Sequence, residues 1–229
     1  MSDIHGSYEK YRRMLDMIHF GDQDTLYVLG DVIDRGKEGI TTLLDMMKRS
    51  NIIPLLGNHE WMAIKCLPWL QEKITKSVLI SLHPEQMEAL SIWLLNGAIT
   101  TIEEWERLDH EEKINILDYL ASFRSYQTIE VNKEKYLLVH AGLGNYDPNK
   151  ELDAYTIDEL VWNRPDYEKA YFQEDDLKMI VGHTPTFMIH GKPEVFYGKQ
   201  LIVIDCGAVF PQGRLACLCL DSKEVFYVD

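Results

Sequence analysis

Side chains able to bind metal recur at the points where short apolar stretches stop, each time with glycine close by. Five segments do this: Asp3-x-His5-Gly6, Gly30-Asp31-Val32-Ile33-Asp34-Arg35-Gly36, Gly57-Asn58-His59-Glu60, His140-Ala141-Gly142 and Gly182-His183-Thr184-Pro185. This pattern constrains the fold more than any composition does. In an α/β sheet the loops after the strands share one edge, so side chains distant in sequence can meet there. Glycine lets such loops turn sharply and crowd together.

The flanking pattern fits that picture. Ser7 is placed as the N-cap of a helix to about Phe20, with Tyr8, Tyr11, Leu15 and Ile18 at helical spacing. Thr25 to Leu29 and Ile52 to Leu56 read as strands, with a helix from about Glu38 to Arg49 between them. From Trp61 to about Phe123 helical periodicity dominates, with a stop at Asn96-Gly97. Tyr126 to Val131 and Tyr136 to Val139 read as a hairpin across a polar Asn132–Lys135 loop. Strands are also expected at Met179–Val181, Leu201–Ile204, Leu215–Leu220 and Val225–Val228. Strands that first alternate with helices and then cluster indicate a mixed-sheet α/β protein.

The donors in the five segments are carboxylates, imidazoles and one amide oxygen. That mixture suits Mn, Fe or Zn, whereas an all-oxygen set points to Ca or Mg and a thiolate set to structural Zn. Two ions about 3.5–4 Å apart need a shared ligand, and a carboxylate such as Asp31 can bridge.

Together the five segments resemble the signature of the phosphoprotein-phosphatase family within the calcineurin-like metallophosphoesterases. The likeness is greatest to its compact bacterial branch of serine/threonine phosphatases and symmetrical bis(5'-nucleosyl)-tetraphosphatases, and Ile204-Asp205-Cys206-Gly207 extends it. The resemblance implies a four-layer α/β/β/α sandwich of two mixed sheets, forming one domain over residues 1–229 with a helical insertion at about 61–125. It implies two metal ions, Mn first and Fe or Zn as alternatives: Asp3, His5 and Asp31 would hold one, and Asp31, Asn58, His140 and His183 the other. Metal-bound water or hydroxide would attack phosphorus. His59 would protonate the leaving oxygen with Asp34 as its carboxylate partner, and Arg35 and Arg164 would clamp the phosphate. The substrate expected is a phosphorylated protein or peptide, with a symmetrical dinucleoside tetraphosphate as the alternative.

Two features depart from the family pattern. Members carry a strand that ends at Asp-x-His, whereas only Met1 and Ser2 precede Asp3 here, so translation is expected to start upstream of Met1. Phe210-Pro211-Gln212-Gly213 stands where the branch has a tighter Gly-Gly turn.

Composition bounds the partners. Lys+Arg 23 against Asp+Glu 37 gives a net charge of −14, and no basic cluster exceeds Arg12-Arg13 or Lys48-Arg49, so nucleic acid is excluded as a partner. Two metals and two arginines would still make a locally positive pocket for phosphate. With no signal-peptide pattern and no apolar run of about 18 residues, a cytoplasmic protein without a membrane partner is expected. Cys66, Cys206, Cys217 and Cys219 lack CxxC spacing and read as reduced, buried thiols, and His19, His83, His110 and His190 as surface residues. The tryptophans and tyrosines of the helical stretch read as core, and Glu103-Glu104 and Glu174-Asp175-Asp176 as solvated faces. A non-catalytic scaffold on the same fold would have lost ligands or the His59 and Asp34 pair, and none is missing.

Overall fold

A computed structural model describes residues 1–70, 82–173 and 177–229. The Glu174-Asp175-Asp176 group lies outside the described residues.

The first helix, α1 (Tyr8–Met17), buries Tyr11, Met14 and Leu15, spaced three and four apart on one face. It ends before Phe20 because His19 turns the chain at φ 51°, and Ser7 makes no side-chain cap. Strand β1 (Leu26–Val28) pairs in parallel with β2 (Ile52–Pro54), joined through helix α2 (Gly39–Met46). The carboxylate of Glu104 accepts hydrogen bonds from the Ile40 and Thr41 amides at 2.9 and 3.2 Å. An acidic side chain there satisfies free amides and complements the helix dipole, so Glu104 is not the solvated residue expected.

Helix α3 (Asn58–Cys66) follows β2 directly. Next come α4 (Pro84–Leu95), α5 (Ile99–Trp105) and α6 (His110–Ala121), with Gly97 at φ 101° breaking the chain between α4 and α5. The hairpin of β3 (Tyr126–Val131) and β4 (Glu134–Val139) turns in two residues, not the four expected. Asn132 and Lys133 both take positive φ, 53° and 69°, the geometry whose twist matches paired strands. The rest comprises α7 (Ile157–Val161), β5 (Leu177–Val181), α8 (Thr186–His190), β6 (Phe196–Tyr197), β7 (Leu201–Val203), β8 (Leu215–Leu218) and β9 (Val225–Val228). Helices α7 and α8 and strand β6 were not legible; elements of two to five residues carry too few positions to show a period.

Five strands form a mixed sheet in the order β3-β4-β5-β7-β6. Period-two alternation sorts its side chains onto two buried faces. Tyr136, Leu138, Ile180 and Ile202 join Leu29, Leu55 and Ala216 in one cluster between the sheets. Leu137, Val139, Met179, Val181, Leu201 and Val203 join the larger cluster that includes the helices. The β1–β2 and β8–β9 pairs divide likewise: Leu26, Val28, Leu215 and Cys217 lie on the helical side, and Ala216 lies between the sheets. Helices therefore cover the outside and sheets face each other within, as the expected four-layer sandwich requires.

The N-terminal residues run beside β1. The Met1 ammonium donates to the Tyr27 carbonyl at 2.9 Å, and Leu29 N–H to Met1 O and Asp3 N–H to Gly30 O at 2.9 and 3.1 Å. This is a parallel ladder in miniature, and it fixes Asp3 at the end of β1. Beyond it a cavity of about 820 Å³ separates β1 from β8, lined by Tyr27, Leu29, Leu138, Ile180, Cys217 and Leu218 among others.

Candidate metal centre

The five glycine-rich segments converge at the ends of β1, β2, β4 and β5 and beside Met1–Asp3. Crowding imposes strain: Asp3, His5, Asp31, Asp34, Arg35 and His183 all take positive φ between 46° and 69°. Such conformations cost of order 1–3 kcal/mol each and persist only where the surroundings over-determine them. Gly30 (φ 80°) shows why glycine is required, since a Cβ there would lie 2.5 Å from the Gly57 Cα.

Asp31 stands at the centre and is buried. Its Oδ2 is 3.5 Å from His5 Nε2 and 3.8 Å from His59 Nε2, while its Oδ1 is 3.4 Å from His140 Nε2. Two donor groups capable of holding an ion result, His5–Asp31–His59 and Asp31–His140–His183, and they share Asp31. Asn58 Oδ1 points into the second, 3.0 Å from His140 Nε2 and 2.9 Å from His183 Nδ1.

Asp3 is buried at the rim. Its carboxylate accepts the His183 amide at 3.1 and 3.0 Å and the Ser2 hydroxyl, and it stands outside both donor groups as the side chains lie. The first group contains His59 where Asp3 was expected. Burial, then the Asp31 charge, pushes the Asp3 pKa up to about 6.

The residues fit a pair of divalent ions. Carboxylate, imidazole and amide oxygen donors suit Mn, Fe or Zn. His183 Nε2 is a buried polar atom with no hydrogen-bond partner; such atoms are rare unless a ligand completes them. Burial, then the neighbouring His140, drives the His183 pKa down to about 3, so its ring is a neutral donor. His140 goes the other way: burial opposes its charge, yet Asp31 outweighs burial and raises the pKa to about 10.

His59 and Asp34 form a separate unit, both fully buried. His59 Nδ1 lies 2.6 Å from Asp34 Oδ2. Burial works against protonation of His59, but Asp31 and Asp34 overcome it and its pKa rises. Trp93 Nε1 donates to the same Asp34 oxygen at 2.7 Å, and Thr101 Oγ1 to the other at 2.6 Å. Both donors come from the helical stretch, so Trp93 is core and also brace.

The Arg35 guanidinium reaches His5 Nε2 at 2.9 Å and His59 Nε2 at 3.0 Å, beside both donor groups. Arg164 is exposed on the loop after α7. No hydrogen bond or ion pair joins it to these residues, although its charge contributes to the lowered pKa of His183.

Glu60 had no role from sequence. Buried, it accepts the amides of Asp31, Val32 and Gly57 at 2.8, 2.8 and 3.1 Å, and that of Ile33 at 3.3 Å. One carboxylate thereby ties two ligand loops together.

A two-layer β core edged by strained loops, with two imidazole and carboxylate groups sharing one aspartate, defines a binuclear metallohydrolase type of protein. The calcineurin-like phosphoesterase profile matches residues 1–205, and the chain belongs to that family. It is 28% identical over 167 residues to serine/threonine-protein phosphatase 2 of Salmonella typhimurium, covering 72% of this chain. The chain spans 66% of that relative, just under two thirds of its length. Against a symmetrical bis(5'-nucleosyl)-tetraphosphatase of Proteus mirabilis it is 25% identical over 266 residues, covering 99% of this chain and 95% of the relative. A crystal structure described provisionally as a diadenosine tetraphosphatase superposes with a TM-score of 0.66 at 16% identity, covering 99% of this chain and 90% of that one. No described helix is long and apolar enough to cross a membrane.

Proposed function

We propose that this chain is a metal-dependent phosphomonoesterase acting on phosphorylated serine or threonine in proteins or peptides. The observation that carries this is Asp31, whose two oxygens face different imidazoles, Oδ2 toward His5 at 3.5 Å and Oδ1 toward His140 at 3.4 Å.

Asp3, His5 and Asp31 would hold one ion, and Asp31, Asn58, His140 and His183 the other, with Mn first and Fe or Zn as alternatives. When bound, such a pair neutralises phosphate charge and lowers the pKa of water into the neutral range. The protein's own groups do the rest. Arg35, exposed beside the buried ligands, offers a planar fork of donors to phosphate oxygens, and Arg164 is the second clamp. Asp34 fixes the His59 ring through Nδ1 and helps raise its pKa. His59 is thereby positioned to deliver a proton from Nε2 to the departing oxygen once the Arg35 guanidinium, 3.0 Å from that nitrogen, turns to the phosphate. Glu60, Trp93 and Thr101 keep these groups in place without touching substrate.

A dinucleoside tetraphosphate hydrolysed at an anhydride bond is the alternative, supported by relatives bearing both printed names. The cytoplasm is the compartment proposed. Loading metal-free protein with Mn and comparing a phosphopeptide, an aryl phosphate and diadenosine tetraphosphate tests the substrate directly. The phosphopeptide and aryl phosphate should turn over well above the dinucleotide, and the reverse order rejects the proposal.

A further inference from the structure

A second concavity opens beside the metal centre, between α3 and α4. Its volume is about 430 Å³. Trp61 and Met62 of α3, Ile92 of α4 and Trp162 after α7 give it apolar walls. Glu85 and Glu88 of α4, Asp158 of α7 and Lys65 of α3 supply its charges.

Every wall of this groove is tied to the catalytic groups. Helix α3 carries Asn58 and His59 in its first turn, and Trp61 lies three residues beyond Asn58, about one turn further along. Helix α4 supplies Trp93 to Asp34, and Gly97 just beyond it accepts the Arg35 amide at 3.0 Å. The Trp162 ring meets His183 edge-on, centroids 6.1 Å apart at 88°. A substrate with its phosphate beside His183 and Arg35 would therefore place its neighbouring groups at the mouth of this groove.

The charges select what fits there. Asp158 is already engaged, accepting Trp61 Nε1 at 3.0 Å with Lys65 Nζ 3.9 Å away. Lys65 lies over the Trp61 ring at 4.3 Å, so the groove already carries one cation on an indole. Glu85 and Glu88 are exposed and have no cationic partner among the described residues. Trp162 is likewise exposed, with no cation over its ring among them. Two carboxylates without a cationic partner among the described residues, beside an exposed indole face, oppose a further phosphate and favour a guanidinium on a long apolar stem, which stacks and pairs at once.

Resting on the phosphomonoesterase proposed above, we infer that this groove binds an arginine side chain close in sequence to the phosphorylated residue, making it a specificity site for basic phosphopeptides. Ile92 and Met62 would pack on the stem, Trp162 on the guanidinium plane, and Glu85 and Glu88 on its edge.

The test uses the Mn-loaded chain and a set of phosphopeptides in which each position flanking the phosphoresidue is in turn Arg, Ala or Glu. Aryl phosphate serves as the internal reference for every variant. At one or more positions Arg should raise kcat/KM about tenfold over Ala, a 1.4 kcal/mol preference, and Glu should lower it. In Glu85→Gln/Glu88→Gln and in Trp162→Ala that ratio should collapse toward one. A flat position scan overturns the inference, as does a preference that survives both variants. Diadenosine tetraphosphate turnover with a KM raised by Trp162→Ala would assign the groove to a nucleobase and also overturn it. Should no substrate be hydrolysed, aryl phosphate included, the phosphatase proposal fails by itself. Calorimetric titration with phosphonate peptides then reads the groove alone, where Arg and Ala peptides of equal affinity overturn the inference.

Discussion

Replacing Asp34 by Asn keeps the shape of the side chain and removes its charge, which isolates what the His59 and Asp34 pair contributes. In the native protein one Asp34 oxygen accepts His59 Nδ1 at 2.6 Å and Trp93 Nε1 at 2.7 Å, and the other accepts Thr101 Oγ1 at 2.6 Å. Hydrogen bonds to a charged group are worth about 1.5–3 kcal/mol against about 0.5–1.5 for neutral ones. Three such bonds weakened together should lower stability by about 2–4 kcal/mol, read from denaturant unfolding. The kinetic effect acts through His59. Burial disfavours its protonated form, and Asp31 and Asp34 raise its pKa against that burial, so without the Asp34 charge less of it carries a proton to give. General acid catalysis contributes about 10²–10⁴-fold. Turnover of an alkyl phosphate such as a phosphoserine peptide should fall by at least about 10²-fold, and that of an aryl phosphate with a good leaving group by much less. His59→Asn should give the same split while retaining its metal content. Residues acting as one unit are strongly non-additive, so the double variant should be no slower than His59→Asn by more than about threefold. Fully additive losses, or equal losses on the two leaving groups, would refute the coupled pair.

Other outcomes are specific to single contacts. Asp31→Asn should lower the bound metal at both sites together, measured by elemental analysis, because each donor group uses one of its oxygens; loss of one ion alone would contradict sharing. Gly30→Ala should unfold the protein or cost several kcal/mol in a thermal melt, since the new Cβ would overlap the Gly57 backbone at 2.5 Å in a left-handed conformation. Asp45, paired with Arg49 at 3.0 Å, resists protonation: burial raises its pKa, but the Arg49 and Tyr11 hydrogen bonds outweigh it and the pKa is lowered. Its stabilisation is present above the unfolded carboxylate value near 4 and lost as pH falls through the lower folded value, so Asp45→Asn should flatten the acid limb of stability below about pH 4.

The sequence by itself determined which residue types gather at the strand ends. A donor set of carboxylate, imidazole and amide oxygen must be spelled out in side chains, and the tight approach of loops must be spelled out in glycine. The family resemblance those segments carry then nominated Asp31, Asn58, His140 and His183 as one set, and Asp31 as the shared member. Long periodic segments were legible for a similar reason, since a buried face needs apolar residues at a fixed repeat. Tertiary structure alone decided what braces these groups. Glu60 clamps the Asp31 loop, 29 residues away in sequence, Trp93 and Thr101 hold Asp34 across 59 and 67 residues, and Glu104 caps α2. None of these pairs has a local spacing or composition that marks it, because each exists only after distant helices pack. The same holds for the present orientation of Asp3, which is set by the His183 amide and Ser2, and for the acidic groove between α3 and α4. Side-chain chemistry is written along the chain, whereas the partners that orient it are fixed by which surfaces the core brings together.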